Sequence, residues 1–509
     1  MIVNKSKQKQ IFFYVSVLLL IAAIVPLFII AHYNFTSFDD YAFSSASIDD
    51  WLQNHSLFRV LKLQLEFAKY FYYAWQGTVS MTWIGGSVIS MIREEHYFLS
   101  TYITLGGFIL SELVLFMLIG FKALESDIYD AGIVSCWLII FQVLMVPYPV
   151  EAFYWACGSI MYVTGYNAAV LLYALFFLYI HRSLREERAQ NRTYRLKGLF
   201  LQLGIIVLSV YIAFGNYVSA LFCFSSLLLL VFGVWFKKVR GRIVITVDFI
   251  IYTVIFVLNM TAPGNKIRKG ASGTGDINPV KALLKSLYEA ASYIICNIYP
   301  TVIIIMIMML PFVIGLVKKR AFGSQRPFRR PLVFSIITYG LYASQFVPNM
   351  YALGFIGAGR VVNLYRLSLY LFYFSNLIYW TGWGLRRIHE ELPDMTSDIL
   401  APKKSYLLVF ETLCIALLCF SAIFYGGTTL TTVSAIKSLS TGQAYIYRRE
   451  YEERLVVLKD ESVKDAVFEE FTDPPYLLFF GDIKEDPGAW ENRDVASFYG
   501  KESVRIVEE

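Results

Sequence analysis

Residues 11–43 read IFFYVSVLLLIAAIVPLFIIAHYNFTSFDDYAF. From Ile11 to Ala31 the stretch carries no charge, and about 20 apolar residues suffice to cross a bilayer as a helix. The preceding MIVNKSKQKQ gives it a basic flank like that of a signal peptide. The apolar run is too long for a signal peptide, and no small-residue cleavage site ends it. The reading is therefore a retained first membrane helix. Two adjacent carboxylates, Asp39 and Asp40, follow it within a few residues.

The same pattern continues along the chain. Further apolar runs cover 97–120, 131–149, 160–180, 198–214, 217–236, 243–262, 297–317, 332–350, 364–384 and 405–427. Hydrophobic residues make up 57% of the 509 and charged residues 17%, below the roughly 25% usual in soluble domains. Mean hydropathy is +0.53. A soluble core cannot hide that much apolar surface, whereas lipid can surround it. The fold class expected is an all-α polytopic membrane protein of about 11 transmembrane helices. Residues 1–427 form the membrane domain and residues 428–509 a small C-terminal extracytoplasmic α/β domain.

Charge placement sets the topology, because cytoplasmic loops are enriched in Lys and Arg. The connections 181–197, 237–242 and 318–331 are strongly basic, while 147–159 and 214–217 hold no Lys or Arg. This puts the N-terminus inside and the C-terminus outside. The segment 77–92 is ambiguous between a short span and a re-entrant piece. Counting it as a span would move the basic loops to the wrong face. The outer regions are then a first loop, 32–96, a second loop, 263–296, and the tail.

In the first loop, Leu57, Leu61, Leu65, Ala68, Tyr72 and Trp75 recur at spacings of three and four. They predict an amphipathic helix lying beside the membrane. The tail holds 17 of the 39 acidic residues and turn signals at 473–475 and 486–488. Leu455–Leu458, Leu477–Phe480 and Val504–Val507 read as short strands. Several function classes drop out. The histidines are isolated and no cysteine pair has metal-site spacing, so no zinc site is expected. No phosphate-binding glycine loop or dinucleotide fingerprint occurs, and no nucleic-acid partner is expected. No internal repeat of the kind that builds transporters is visible.

Four groups could carry chemistry. A carboxylate of the Asp39–Asp40 pair could take a proton from a hydroxyl or hold a divalent cation, and Asp is equally a good helix N-cap. In Pro263-Gly264-Asn265-Lys266-Ile267-Arg268-Lys269 the cations suit a phosphate or anionic headgroups. Arg360 and Arg366, flanking the start of an apolar run, could both face a lipid phosphate, although Arg366 could instead snorkel. Glu151, with Phe153, Tyr154 and Trp155, could accept and stack a sugar, or belong to an aromatic belt. All four groups fall at the outer face. Acid, phosphate binders and aromatics beside lipid suit group transfer from a lipid phosphate donor.

These pieces also resemble a known group. Asp39-Asp40-Tyr41, Trp75-Gln76-Gly77, Glu151 with Phe153-Tyr154-Trp155, Pro263-Gly264-Asn265 with Arg268, and the tail from Asp482 to Gly500 are similar to the GT-C superfamily of polyprenyl-phosphate-sugar-dependent glycosyltransferases. The nearer likeness is to a bacterial branch related to integral-membrane glucosyltransferases that modify O-antigens. One departure is Gln76-Gly77-Thr78, where Asn-Gly-Arg is expected. The resemblance implies inverting transfer of one sugar from an undecaprenyl-phosphate donor to a cell-surface glycan or lipid-linked precursor, outside the bacterial plasma membrane. It implies Asp39 and Asp40 at the catalytic centre. Lys266, Arg268, Arg360, Arg366 and Asn265 would lie at the donor phosphate. Tyr41, Glu151, Tyr154, Trp155 and Trp75 would lie at the sugar and acceptor. No cofactor is expected; a divalent metal could be held by the carboxylates but is not predicted. Competing readings are a polysaccharide polymerase or ligase, and a transporter or flippase of lipid-linked glycans.

The topology has a direct test. Cysteines placed at Ser462 and Ser497 are expected to react with a membrane-impermeant maleimide in intact cells or spheroplasts. Labelling only after lysis would invert the topology.

Overall fold

The computed structural model describes residues 2–92, 94–183, 192–271, 278–323, 327–392 and 430–507, together with position 416. The last expected span, 405–427, otherwise lies outside the described residues. Among the described residues, seven helices are long and apolar enough to cross a membrane. The architecture is that of a predominantly helical, multi-pass membrane protein with one two-stranded sheet.

The chain begins with α1 (Ile2–Ile30), then three short or amphipathic helices, α2 (Asp39–Ser44), α3 (Ile48–Asn54) and α4 (Leu57–Ala74), and a short α5 (Gly86–Met91). The bundle continues with α6 (Glu94–Ala123), α7 (Ile128–Leu144), α8 (Ala156–Ser183), α9 (Arg192–Ala213), α10 (Tyr217–Phe236) and α11 (Arg242–Met260). Two amphipathic helices follow, α12 (Gly264–Ala271) and α13 (Pro279–Cys296). They make up most of the second loop, 263–296. Then come α14 (Pro300–Ala321), α15 (Pro331–Ser344), α16 (Val347–Ala352) and the long α17 (Gly359–Glu391). The expected span 332–350 is divided between α15 and α16, where Pro348 begins a new helix. Within 77–92, residues 79–91 form one short helix with a π-helical stretch at Met81–Gly85, packed on α4 and α8 and too short to cross a bilayer.

Helix α7 lies at the centre. It packs on α1, α6, α14 and α17 and is buried almost throughout, as expected of a helix apolar on every side. Its one central amide, Gln142, donates to Glu112 Oε1 (3.3 Å) and to the Leu367 carbonyl (3.0 Å). Buried polar groups need such partners. A second core joins α8 to α9, α10 and α11.

At the end where α1 starts and α7 begins, Lys9 lies 2.7 Å from Asp127 and 2.5 Å from the buried Asp130. Asp127 also caps α7 through the Tyr129 and Asp130 N–H groups. A Cβ on Gly315 would sit 2.2 Å from Asp130 Oδ2, so α14 can approach only with glycine there. The basic residues Lys237, Lys318 and Arg320 end helices on this same side, and Arg320 pairs with Glu125 at 3.0 Å.

Helix α4 is amphipathic, but its packed stripe is Val60, Gln64 and Ala68. Leu57, Leu65 and Trp75 stay exposed, because Gln64 turns inward to bond Phe43 and Ser47. The tail contains α18 (Thr431–Ser440), α19 (Gln443–Lys459), β1 (Asp465–Glu469), α20 (Trp490–Tyr499) and β2 (Ser503–Val507). The strands pair in parallel, Ala466 opposite Val504 and Phe468 opposite Ile506. Of the three expected strands, only Val504–Val507 forms. Leu455–Leu458 ends α19, whose Arg448–Glu452 pair follows helical spacing. Leu477–Phe480 is a turn whose amides bond the Pro475 carbonyl.

Leaving Asp130 buried without its cation should be costly. Lys9→Met is expected to destabilise the protein by about 3 kcal/mol, read as a lower thermal midpoint in detergent. Lys9→Met with Asp130→Asn should recover most of the loss.

Candidate functional site

The segments singled out by sequence meet at the opposite ends of the same helices. Asp39 and Asp40 follow α1, the loop 147–155 precedes α8, Asn265 follows α11, and Arg360 opens α17.

Asp40 is fully buried. Its Oδ1 accepts from the Cys157 N–H (2.7 Å), and its Oδ2 from the Tyr97 hydroxyl (2.5 Å) and the Ser37 N–H (3.2 Å). The Tyr97 hydroxyl also accepts the Ala156 N–H. One carboxylate thus ties α2 to the first turns of α6 and α8. Burial pushes its pKa up to about 7, against the pull of those three hydrogen bonds.

Asp39 is only half-buried. Among the described residues no hydrogen bond or ion pair engages its carboxylate. Burial raises its pKa; the Arg360 guanidinium opposes this, and Glu491 adds to it. Asp494 on the same tail helix also feels Asp39. Helix α20 packs on α2, so two tail carboxylates, Glu491 and Asp494, stand near the site. Sequence reading did not single them out, although they fall inside the tail stretch 482–500. Phe38, just before the pair, has a positive φ of 51°, an uncommon backbone state for a bulky residue. Phe480 and Trp490 pack on its ring.

Arg360 donates its backbone N–H to Glu151 Oε2 (3.0 Å), and its guanidinium lies 3.5 Å from the same oxygen. A carboxylate there also meets the positive end of α17. A Cβ on Gly359 would fall 2.0 Å from Glu151 Oε1, so glycine is required for this approach. The Arg360 guanidinium sits over the rings of Trp155 and Tyr162, at 5.5 and 5.6 Å. The Tyr217 hydroxyl donates to Asn265 Oδ1, three residues before Arg268.

Several expected ligand residues are occupied by packing. Asn265 accepts from the Gly77 N–H and the Tyr217 hydroxyl and donates to the Asn259 and Met260 carbonyls. Its polar atoms hold the 75–77 turn, leaving it a positioning residue. A Cβ on Gly264 would lie 2.5 Å from the Trp75 N atom, so these two motifs touch. Arg366 does not share a face with Arg360. It bonds the Tyr293 hydroxyl (3.3 Å) and Asn297 Oδ1, with Tyr293 and Tyr299 rings against it. Tyr154 is wholly buried and donates to the Leu27 carbonyl, and Tyr41 is buried and donates to the Thr36 carbonyl. Trp155 is buried with Phe480 stacked at 4.0 Å. None of these three rings offers an open stacking face. Trp75 is exposed, as is Lys266, and Arg268 is half-exposed with no ion pair among the described residues.

Among the described residues no three His, Cys, Asp or Glu side chains converge to hold a metal ion. No protein-family model matches the chain, and no curated protein matches it significantly.

The Asp40 carboxyl has an observable signature. Between its ordinary pKa of 3.8 and about 7 the folded state keeps a proton that the unfolded chain has lost. Its contribution to stability therefore falls as pH rises through that window and is fully lost above about 7. Asp40→Asn should remove this slope. Thermal midpoints of the two proteins, followed from pH 4 to 8, should shift steadily in favour of the variant until about pH 7.

Proposed function

We propose that the protein is an inverting membrane glycosyltransferase. It moves one sugar from an undecaprenyl-phosphate donor to a glycan or lipid-linked acceptor on the outer face of a bacterial plasma membrane. The observation that carries this reading is Asp39. It is a half-buried carboxylate with no hydrogen bond among the described residues, within reach of the Arg360 cation, at the helix ends opposite the basic Lys9, Lys318 and Arg320 side.

In this reading Asp39 is the general base. It takes the acceptor hydroxyl proton while that oxygen attacks the anomeric carbon. The bond from that carbon to the phosphate oxygen breaks on the opposite face, and its electron pair leaves on polyprenyl phosphate. Arg360 meets the growing phosphate charge, a contribution larger in the transition state than in the ground state. Lys266 and Arg268 add further cationic charge for the donor phosphate. Asp40 positions the loop by its three hydrogen bonds. Glu151 holds Arg360, and Asn265 and Arg366 are structural.

Short-chain polyprenyl-phosphate hexoses, incubated with purified protein and envelope glycans, test the reading. Turnover of a monosaccharide donor is expected; a requirement for an oligosaccharide diphosphate would point to a polymerase or ligase. Asp39→Asn keeps size but removes basicity and should lower turnover about 10²–10⁴-fold with donor binding intact. Retention of more than about a tenth of the activity would discard Asp39 as the base.

A further inference from the structure

A cleft of about 710 Å³ opens between the 147–151 loop, α18 and residues 473–480. That size falls in the ~300–1,000 Å³ range of small-ligand sites. Two tyrosines with exposed rings, Tyr148 (48%) and Tyr476 (53%), line it. The Tyr476 hydroxyl donates to the Pro147 carbonyl (3.3 Å), which fixes one ring against the other wall.

The remaining lining mixes the apolar Pro149, Val150, Pro474, Phe479 and Phe480 with polar groups whose charges nearly balance. Lys437 and Asp473 bring one charge of each sign, while Glu151 is taken up by Arg360. Gln443 accepts from the Ser438 hydroxyl (2.7 Å) through its oxygen, so its two N–H groups are left to donate elsewhere. Asp473 has a φ of 139°, a strained state for any residue with a side chain, and such strain gathers at ligand clamps. Tyrosine faces with amide, hydroxyl and carboxylate edges match the alternating apolar and hydroxyl surfaces of sugar rings. A single cation and the lack of a wholly apolar wall fit neither a phosphate nor a lipid tail.

The cleft reaches the site at two points. Phe480, at one end, stacks on Trp155 and packs against Phe38 beside Asp39. Glu151, at the other, holds Arg360. We infer that this cleft binds a carbohydrate chain of near-neutral charge between Tyr148 and Tyr476, and that it is the acceptor subsite of the transferase. The acceptor role rests on the proposed function above; the binding of glycan in the cleft does not.

The test uses the full chain in nanodiscs. Lys437→Cys, on a background in which Cys296, Cys414 and Cys419 are Ser, carries an environment-sensitive fluorophore and is titrated with oligosaccharides released from the producing cell's envelope polysaccharide. A saturable signal is expected, weakened about tenfold by Tyr476→Ala, the scale of one lost aromatic wall. In the transfer assay the same substitution should raise the acceptor KM about tenfold and leave the donor KM within about twofold. No saturable signal, or an acceptor KM unmoved by Tyr476→Ala, overturns the cleft assignment. Saturable binding by a protein that transfers no sugar from any polyprenyl-phosphate donor overturns the acceptor role together with the transferase reading.

Discussion

The site depends on one buried carboxylate. Asp40 has no solvent, and three donors from three segments converge on it: Ser37 N–H, Tyr97 hydroxyl and Cys157 N–H. Removing it would strand those donors inside the protein, where each unmet group costs about 1–3 kcal/mol. The same bonds decide where its neighbour goes. A helix turns about 100° per residue, so fixing Asp40 inward leaves Asp39 toward Arg360 and the tail's Glu491 and Asp494. The pair is therefore a division of labour imposed by geometry.

The first turn of α17 supplies the second organising feature. Glu151, Gly359 and Arg360 form one unit: a carboxylate at a helix N-terminus, the glycine that lets it approach, and a cation held over Trp155 and Tyr162. Six residues further, Arg366 faces Tyr293 and Tyr299 instead. At about 100° per residue, six positions turn the side chain some 240°. The two arginines belong to different neighbourhoods of one helix.

The tail and the 75–77 turn complete the enclosure without direct chemistry of their own. Asp482 pairs with Arg454 at 2.7 and 2.9 Å, and Asn492 bridges the Lys484 and Val504 backbones. These contacts hold α20 so that Glu491 and Asp494 approach Asp39. Likewise Asn265 spends its side chain on Gly77, Tyr217 and the end of α11. Motif residues that look like ligands thus serve to join distant segments.

What the sequence determined by itself was, among the described residues, the helical form of the apolar runs and the end of the helices at which the acids, cations and aromatics gather. Those follow from local quantities: run length against bilayer thickness, and charge at the run ends. The Ala466 and Phe468 alternation that makes β1 was also present in the chain, masked by flanking acids. Only the tertiary structure decided which polar groups are already used. Tyr41, Tyr154 and Trp155 read as open aromatics, yet each lies against a partner distant in sequence: Phe498 and Tyr499, Leu27, and Phe480. Asp39 and Asp40 are chemically identical neighbours, and nothing local separates them. The difference is made by Tyr97 and Cys157, some 57 and 117 positions away. A side chain's reactivity depends on which donors reach it, and those donors come from other helices.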